Sequence, residues 1–199
     1  VSLVGDAKVT LRQMADAAQR KAPASAWTAR VQQLVAEWRA KAEPMLKSDA
    51  VPMRPERICR EITQALPADG VLVSDTGHAG MWTGQMIEFT HPGQRYIRCA
   101  GTLGWAFPGS LGVKCALPNR PVVCFTGDGG FYYHLPELET ARRRGIKTVT
   151  IVNNNASLAQ GLRNLNIAYE GHDESRKGEC FEFRETDFAR IAQAFDCFG

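Results

Sequence analysis

The sequence has six cysteines but no pair spaced as C-x-x-C. Cys59, Cys99, Cys115, Cys124, Cys180 and Cys197 stand apart, inside apolar or mixed segments. That spacing argues against a zinc site or a disulfide framework and for reduced thiols in a cytoplasmic protein. No stretch reads as a signal peptide and no apolar run has bilayer length, so no membrane association is expected. Basic blocks are scarce too. The longest is Arg142-Arg143-Arg144, at the expected C-terminal end of a helix, and the net charge is +3. A nucleic-acid partner needs a basic stripe that is missing here. Internal repeats and low-complexity tracts are also missing.

What is present is an ordinary globular composition. Of 199 residues, 44% are hydrophobic and 23% charged, enough for one buried core with appended segments. Ser2-Leu3-Val4 reads as a short strand, followed by a helix with Leu11, Met14, Ala15 and Ala18 on one face. A second helix is expected over 24–47, with Trp27, Val31, Leu34 and Trp38 in one stripe. Pro44 and the stretch 48–52 mark a connection, which places a boundary near residue 50. Beyond it strands and helices alternate. Strands are expected at Val71–Val73, Tyr96–Arg98, Val122–Phe125 and Thr148–Val152. Helices are expected from Pro55, through Met81 to Ile87, at Gly104–Leu117, at Leu135–Arg144 before Gly145, and at Asp187–Phe195. This order predicts an α/β fold, a mostly parallel sheet with helices on both faces. Ligands of such folds bind at the carboxyl ends of the strands, so the loops Asp75–His78, Gly127–Gly130 and Asn153–Leu158 are the place to look.

Gly127-Asp128-Gly129-Gly130 directly follows one expected strand, and Asn153-Asn154-Asn155 ends the next. Either alone is commonly a turn. Together they set an acid and amides at neighbouring strand tips. A carboxylate, an amide oxygen and a main-chain carbonyl are hard donors that suit Mg²⁺, with phosphate oxygens and water completing six. Gly129 and Gly130 would let backbone N–H groups approach a diphosphate.

This pattern resembles the thiamine-diphosphate (ThDP) binding motif, G-D-G followed in under thirty residues by N-N, over about residues 70–195. Glu137-Leu138-Glu139-Thr140-Ala141 and Gly145 are similar to that family too, and its acetolactate synthase-like branch is the nearest likeness. The resemblance implies that Asp128 and Asn155 are side-chain ligands of Mg²⁺ and that Ser157 supplies a backbone carbonyl. If a gap intervenes in the Asn run, Asn154 replaces Asn155. Gly127, Gly129, Gly130, Ser157 and Leu158 would line the cofactor. Thr76-Gly77-His78, ahead of Met81-Trp82, resembles the first diphosphate loop, although His78 alone also suits a solvated helix cap. Gly101-Thr102-Leu103-Gly104, ahead of Pro108, resembles G-x-M-G-x-x-x-P. There Leu103 would be the wedge that bends the cofactor, and the Gly101 carbonyl would accept from its aminopyrimidine. The bend makes removal of the thiazolium C2 proton intramolecular. Simple core packing would satisfy Leu103 equally. His91, His134 and His172 are expected to be surface or core-satisfied.

The family's activating Glu, from a pyrimidine domain normally supplied by a second subunit, has no match here. The resemblance therefore implies a dimer or tetramer, and a chain whose catalytic Glu lies elsewhere. Residues 1–20 are similar to the close of a central domain, 21–50 to a helical linker, and 51–199 to the diphosphate/Mg domain, truncated at its C-terminus. A start at Val1 and a stop after a helix at Gly199 fit a piece of a longer polypeptide. Alone it is expected to bind cofactor weakly and turn over nothing. Any FAD site would lie in the central domain. The implied function is decarboxylation of a 2-oxo acid with or without carboligation. Leu158-Ala159-Gln160-Gly161-Leu162-Arg163-Asn164 departs from the G-M-V and nearby Trp of acetolactate synthases, which argues against a true acetolactate synthase; the stretch reads as a lid. The alternatives are the stand-alone subunit of a two-chain decarboxylase and a non-catalytic assembly module with a relict site.

Overall fold

The computed structural model describes residues 2–19, 25–172 and 176–199. Two compact units divide the chain, Val1–Pro44 and Met45–Gly199. In the first, Ser2–Val4 is irregular chain rather than a strand. A three-residue strand needs a neighbour to take its backbone groups, and none pairs with it among the described residues. Helix α1 (Ala7–Ala17) starts where the Asp6 side chain accepts from the Val9 N–H at 3.0 Å. Residue 24, where the second helix is expected to begin, lies outside the described residues. Helix α2 (Ala26–Leu46) runs through Pro44 instead of stopping there. Pro44 stands two residues from the end, so the ring removes a single late hydrogen bond. The stripe of Trp27, Val31, Leu34 and Trp38 is exposed in this chain, Trp27 by 73%.

The second unit is the α/β body. Its elements are α3 (Pro55–Ala65), β1 (Val71–Ser74), α4 (His78–Met86), β2 (Arg95–Arg98), α5 (Ala106–Ala116), β3 (Val122–Gly127), α6 (Asp128–His134), α7 (Glu137–Arg144), β4 (Val149–Asn153), α8 (Leu162–Tyr169) and α9 (Phe188–Ala194). The four strands form one sheet in the order β2-β1-β3-β4, and every pair is parallel. Strand alternation divides the core. Val71, Val73, Val122 and Cys124 pack with Phe107, Phe131 and Leu138 on one face. Leu72 and Phe125 pack with Cys59, Ile62 and Ala79 on the other. Helices α5, α6, α7 and α9 thus cover one face and α3 and α4 the opposite one, the doubly covered sheet expected from the strand–helix alternation.

Helix α6 was not foreseen. Gly-rich D-G-G followed by aromatics has poor helix propensity, yet Phe131 stacks on Phe107 at 4.9 Å and on Phe188 at 5.6 Å, and tertiary packing decides. The helix ending at Arg144 closes as the sequence implied, with Gly145 in the left-handed region at φ 63°.

All six cysteines are free thiols. Burial, helped by the nearby Glu56 charge, pushes the Cys59 thiol up to about 12. Cys124 is also pushed up, by burial first and then by the Asp75 charge. Cys115 and Cys180 are exposed. Alkylation of the native chain at pH 8, mapped by mass spectrometry, should therefore label Cys115 and Cys180 and leave Cys59 and Cys124 unlabelled until the chain unfolds.

Candidate functional site

Strand order makes the site. After β1 the chain moves outward to β2, then crosses back to β3 beyond β1. The loop after β1 therefore leads to α4 on one face, and the loop after β3 leads to α6 on the other. Diverging loops leave a crevice at the carboxyl ends of β1 and β3. A cleft of about 270 Å³ lies there, walled by the loops after β1, β3 and β4.

The loop tips after β3 and β4 meet through one carboxylate. Asp128, only 3% exposed, accepts from its neighbour Gly129 N–H at 2.8 Å through Oδ1. Its Oδ2 accepts from the Ser157 N–H at 3.1 Å, across 29 residues of sequence. Each oxygen keeps lone-pair capacity for a cation. Among the described residues no ion pair includes Asp128. A carboxylate buried without a cationic side chain is costly unless something else compensates it. Asn153 and Asn155 line the same cleft. Asn154 is committed elsewhere: its Nδ2 donates to the Thr186 carbonyl at 3.0 Å and its Oδ1 accepts from Ala156 N–H at 3.1 Å. That turn puts Ala156 at φ 51°, a left-handed conformation costing an alanine roughly 1–2 kcal/mol. Such strain is typical where a loop must aim its next residue, here Ser157 at Asp128.

These donors fit a hard cation bound together with a diphosphate. One carboxylate, one amide oxygen and one main-chain carbonyl leave half of an octahedral shell to ligand oxygens and water. Among the described residues no cluster of three or more His, Cys, Asp or Glu side chains could hold a metal unaided. Gly129 is the close-approach position: an added Cβ would stand 2.4 Å from Leu158 Cδ2.

The remaining sequence-derived residues are distributed as follows. Thr76, Gly77 and His78, at the start of α4, line the cleft with Asp128, and so does Leu103. His78 lies against Trp82, with centroids 5.1 Å apart. Gly127, Gly129, Gly130, Ser157 and Leu158 also line it. Gly101 does not; it sits in an exposed turn outside the wall. His134, His91 and His172 are not in the wall either.

Sequence reasoning gave no individual role to three contributors. The chain from 156 to 183 leaves the sheet and returns to itself: Leu158 N–H donates to Phe181 O at 2.8 Å, and Phe183 N–H to Ala156 O at 2.7 Å. This antiparallel neck carries α8 and brings Phe181 into the cleft wall. Gln160 projects over Gly77, its Oε1 standing 3.1 Å from where a Cβ at Gly77 would be. The third is Asp75, 1% exposed, whose carboxylate lies behind the cleft and touches three loops. An acid directly after a short apolar strand was its available signal.

Comparison with known proteins agrees with this geometry. The family described as thiamine pyrophosphate enzyme, C-terminal TPP binding domain, matches residues 75–199. The acetolactate synthase large subunit of Buchnera aphidicola subsp. Schizaphis graminum is 25% identical over the whole chain, which spans 34% of that protein. Acetolactate synthase isozyme 3 large subunit of Escherichia coli is 27% identical, with the same two coverages. The Haemophilus influenzae acetolactate synthase large subunit is 30% identical over 84% of the chain and 29% of its own length. The chain thus spans about a third of the length of these curated relatives.

Proposed function

We infer the function of this chain from its family: it belongs to the thiamine pyrophosphate enzymes, whose C-terminal TPP binding domain it carries. On our reading the cleft holds the diphosphate of ThDP through one Mg²⁺. Asp128 and Asn155 would be the side-chain ligands, and Ser157 would offer its carbonyl. Thr76, Gly77 and His78 would take the diphosphate from the opposite wall, with Gly127, Gly129, Gly130 and Leu158 beneath it. Leu103 would bear on the rings, and the Gly101 carbonyl would accept from the aminopyrimidine. The observation that carries this reading is the buried Asp128 carboxylate, paired with no cationic side chain among the described residues, bridging the tips of β3 and β4.

When bound, ThDP supplies a nucleophilic thiazolium carbon and an electron sink for decarboxylation. We propose that the chain serves a cytoplasmic 2-oxo acid decarboxylase or carboligase, as the acetolactate synthase relatives suggest. In that scheme 1–20 close a central domain, 21–50 form a linker, and the activating Glu comes from a pyrimidine domain of a second subunit.

Calorimetry with ThDP and Mg²⁺ tests the cofactor site. Asn155→Ala should weaken Mg²⁺-dependent binding by about 10- to 100-fold, the worth of one contact to a charged group. Asn154→Ala removes two neutral hydrogen bonds of the turn; it should lower the melting temperature and change affinity less. A larger affinity loss for Asn154→Ala would move the amide ligand one residue back. Absence of any metal-dependent binding by the full-length protein would favour a relict site.

A further inference from the structure

We propose that Asp75 is a positioning residue that locks the ring-contacting loop of the cleft to its diphosphate-contacting loops; the consequence for ThDP rests on the functional reading above. Asp75 follows β1 and is 1% exposed. Its Oδ1 accepts from the Thr76 N–H at 2.8 Å and from the Gly104 N–H at 3.0 Å. Its Oδ2 accepts from the Ala106 N–H at 3.2 Å and the Thr126 hydroxyl at 3.1 Å. All four partners donate, which suits a carboxylate that can only accept. Among the described residues the single Thr126 proton has one competing acceptor, the Gly127 carbonyl at 3.2 Å.

The four donors come from three separate pieces of chain. Thr76 begins the loop that carries Gly77 and His78. Gly104 and Ala106 flank the entry to α5, directly after Leu103. Thr126 precedes Gly127 and Asp128. One buried group therefore sets the spacing between Leu103 and both diphosphate loops. Asp75 itself is absent from the cleft wall, so it would act through the loops and not by touching ligand. The packing around it is tight enough to transmit a change: a Cβ at Gly130 would lie 3.2 Å from Asp75 Oδ2 and 2.9 Å from Thr126 Oγ1. Charge-assisted bonds to backbone N–H groups are about twice as strong as neutral ones. In Asp75→Asn, one oxygen becomes an NH₂ facing N–H or O–H donors. Whichever oxygen is replaced, the loop entering α5 loses one of its two anchors, at Gly104 or at Ala106, while the side-chain volume is kept.

A merely structural Asp75 predicts a different outcome from a positioning one. Inorganic diphosphate with Mg²⁺ probes the metal and diphosphate loops alone; ThDP with Mg²⁺ also probes the seating of Leu103. In Asp75→Asn we expect ThDP affinity to fall about 10- to 100-fold, the usual size of a supporting-shell loss, while affinity for Mg²⁺-diphosphate falls much less. Leu138→Ala, a core variant away from this cluster, should lower the melting temperature and affect the two ligands equally. Amide hydrogen exchange supplies a readout that needs no ligand: protection at Gly104 and Ala106 should drop in Asp75→Asn more than at Val71–Val73. Thr126→Val, which removes one donor of the four, should show the same pattern in weaker form and serves if Asp75→Asn does not fold. Unchanged protection at Gly104 and Ala106, or equal loss for both ligands in these variants, overturns the proposal. Failure of the unsubstituted full-length protein to bind either ligand overturns the functional reading instead, and exchange still judges the lock.

Discussion

Asp128→Ala should abolish Mg²⁺-dependent binding of thiamine diphosphate, with an affinity loss of about 100- to 10,000-fold. Two losses compound. On the proposed reading the cation loses a charged protein ligand, and Ser157 loses the acceptor that holds its segment at the tip of β3. Each charge-assisted contact is worth about 1.5–3 kcal/mol, or about 10- to 100-fold, and the two factors multiply to that range. The fold should survive. The Gly129 and Ser157 N–H groups lose a partner, at about 1–3 kcal/mol each if water cannot reach them, and the cleft is open enough for water. Meanwhile β3 and β4 remain paired over five residues. Asp128→Asn separates charge from geometry, because it keeps an oxygen acceptor. It should fall between the parent and Asp128→Ala in affinity while melting closer to the parent. Calorimetry gives the affinities, and thermal unfolding followed by circular dichroism gives the stabilities. Parent-like affinity in Asp128→Ala would place the cation elsewhere.

The β3 and β4 loops could be read from sequence because their chemistry is local. An acid between glycines after a strand, and amides after the next, need only parallel pairing to converge, and a βαβ alternation makes parallel pairing the default. The sheet itself was legible for the same reason: Val71–Val73 and Val122–Phe125 are short apolar runs bounded by turn residues, and every one of those residues is buried or half-buried. What escaped was non-local. Asp75 carries no recognisable spacing to Gly104 or Thr126; 29 and 51 residues of chain separate them, and only folding brings them together. Phe181 reaches the cleft because the chain from 156 to 183 doubles back on itself, a closure that no periodicity in that polar stretch foretells. The stripe on α2 illustrates the opposite case. Its helical spacing was evident, but periodicity reports a face, not what covers it, and here Trp27 and Trp38 face solvent.

Gly104→Ala should be the most damaging of small substitutions near the cleft, and the reason is again the loop entering α5. Gly104 has φ 88°, where a Cβ is strained. The added methyl carbon would lie 2.8 Å from Tyr133 Cβ and 2.9 Å from the Gly130 carbonyl oxygen. Neither neighbour is a flexible tip, and Gly130 belongs to the first turn of α6, at the cleft floor. Left-handed strain of about 1–2 kcal/mol adds to overpacking of about 1–3 kcal/mol. With 2–4 °C per kcal/mol for a chain of this length, the melting temperature should fall by roughly 10 °C. Gly112→Ala, on the exposed side of α5 with nothing within 4 Å of the new carbon, should instead raise stability by about 0.5–1 kcal/mol, the ordinary helix gain. The pair isolates backbone geometry from the simple loss of a glycine. If both variants melt like the parent, the loop is not fixed at that dihedral, and Asp75 would have no rigid partner in Gly104 to hold. If Gly104→Ala alone is destabilised, the loop beside Leu103 has one permitted shape, the one whose Gly104 and Ala106 N–H groups reach Asp75.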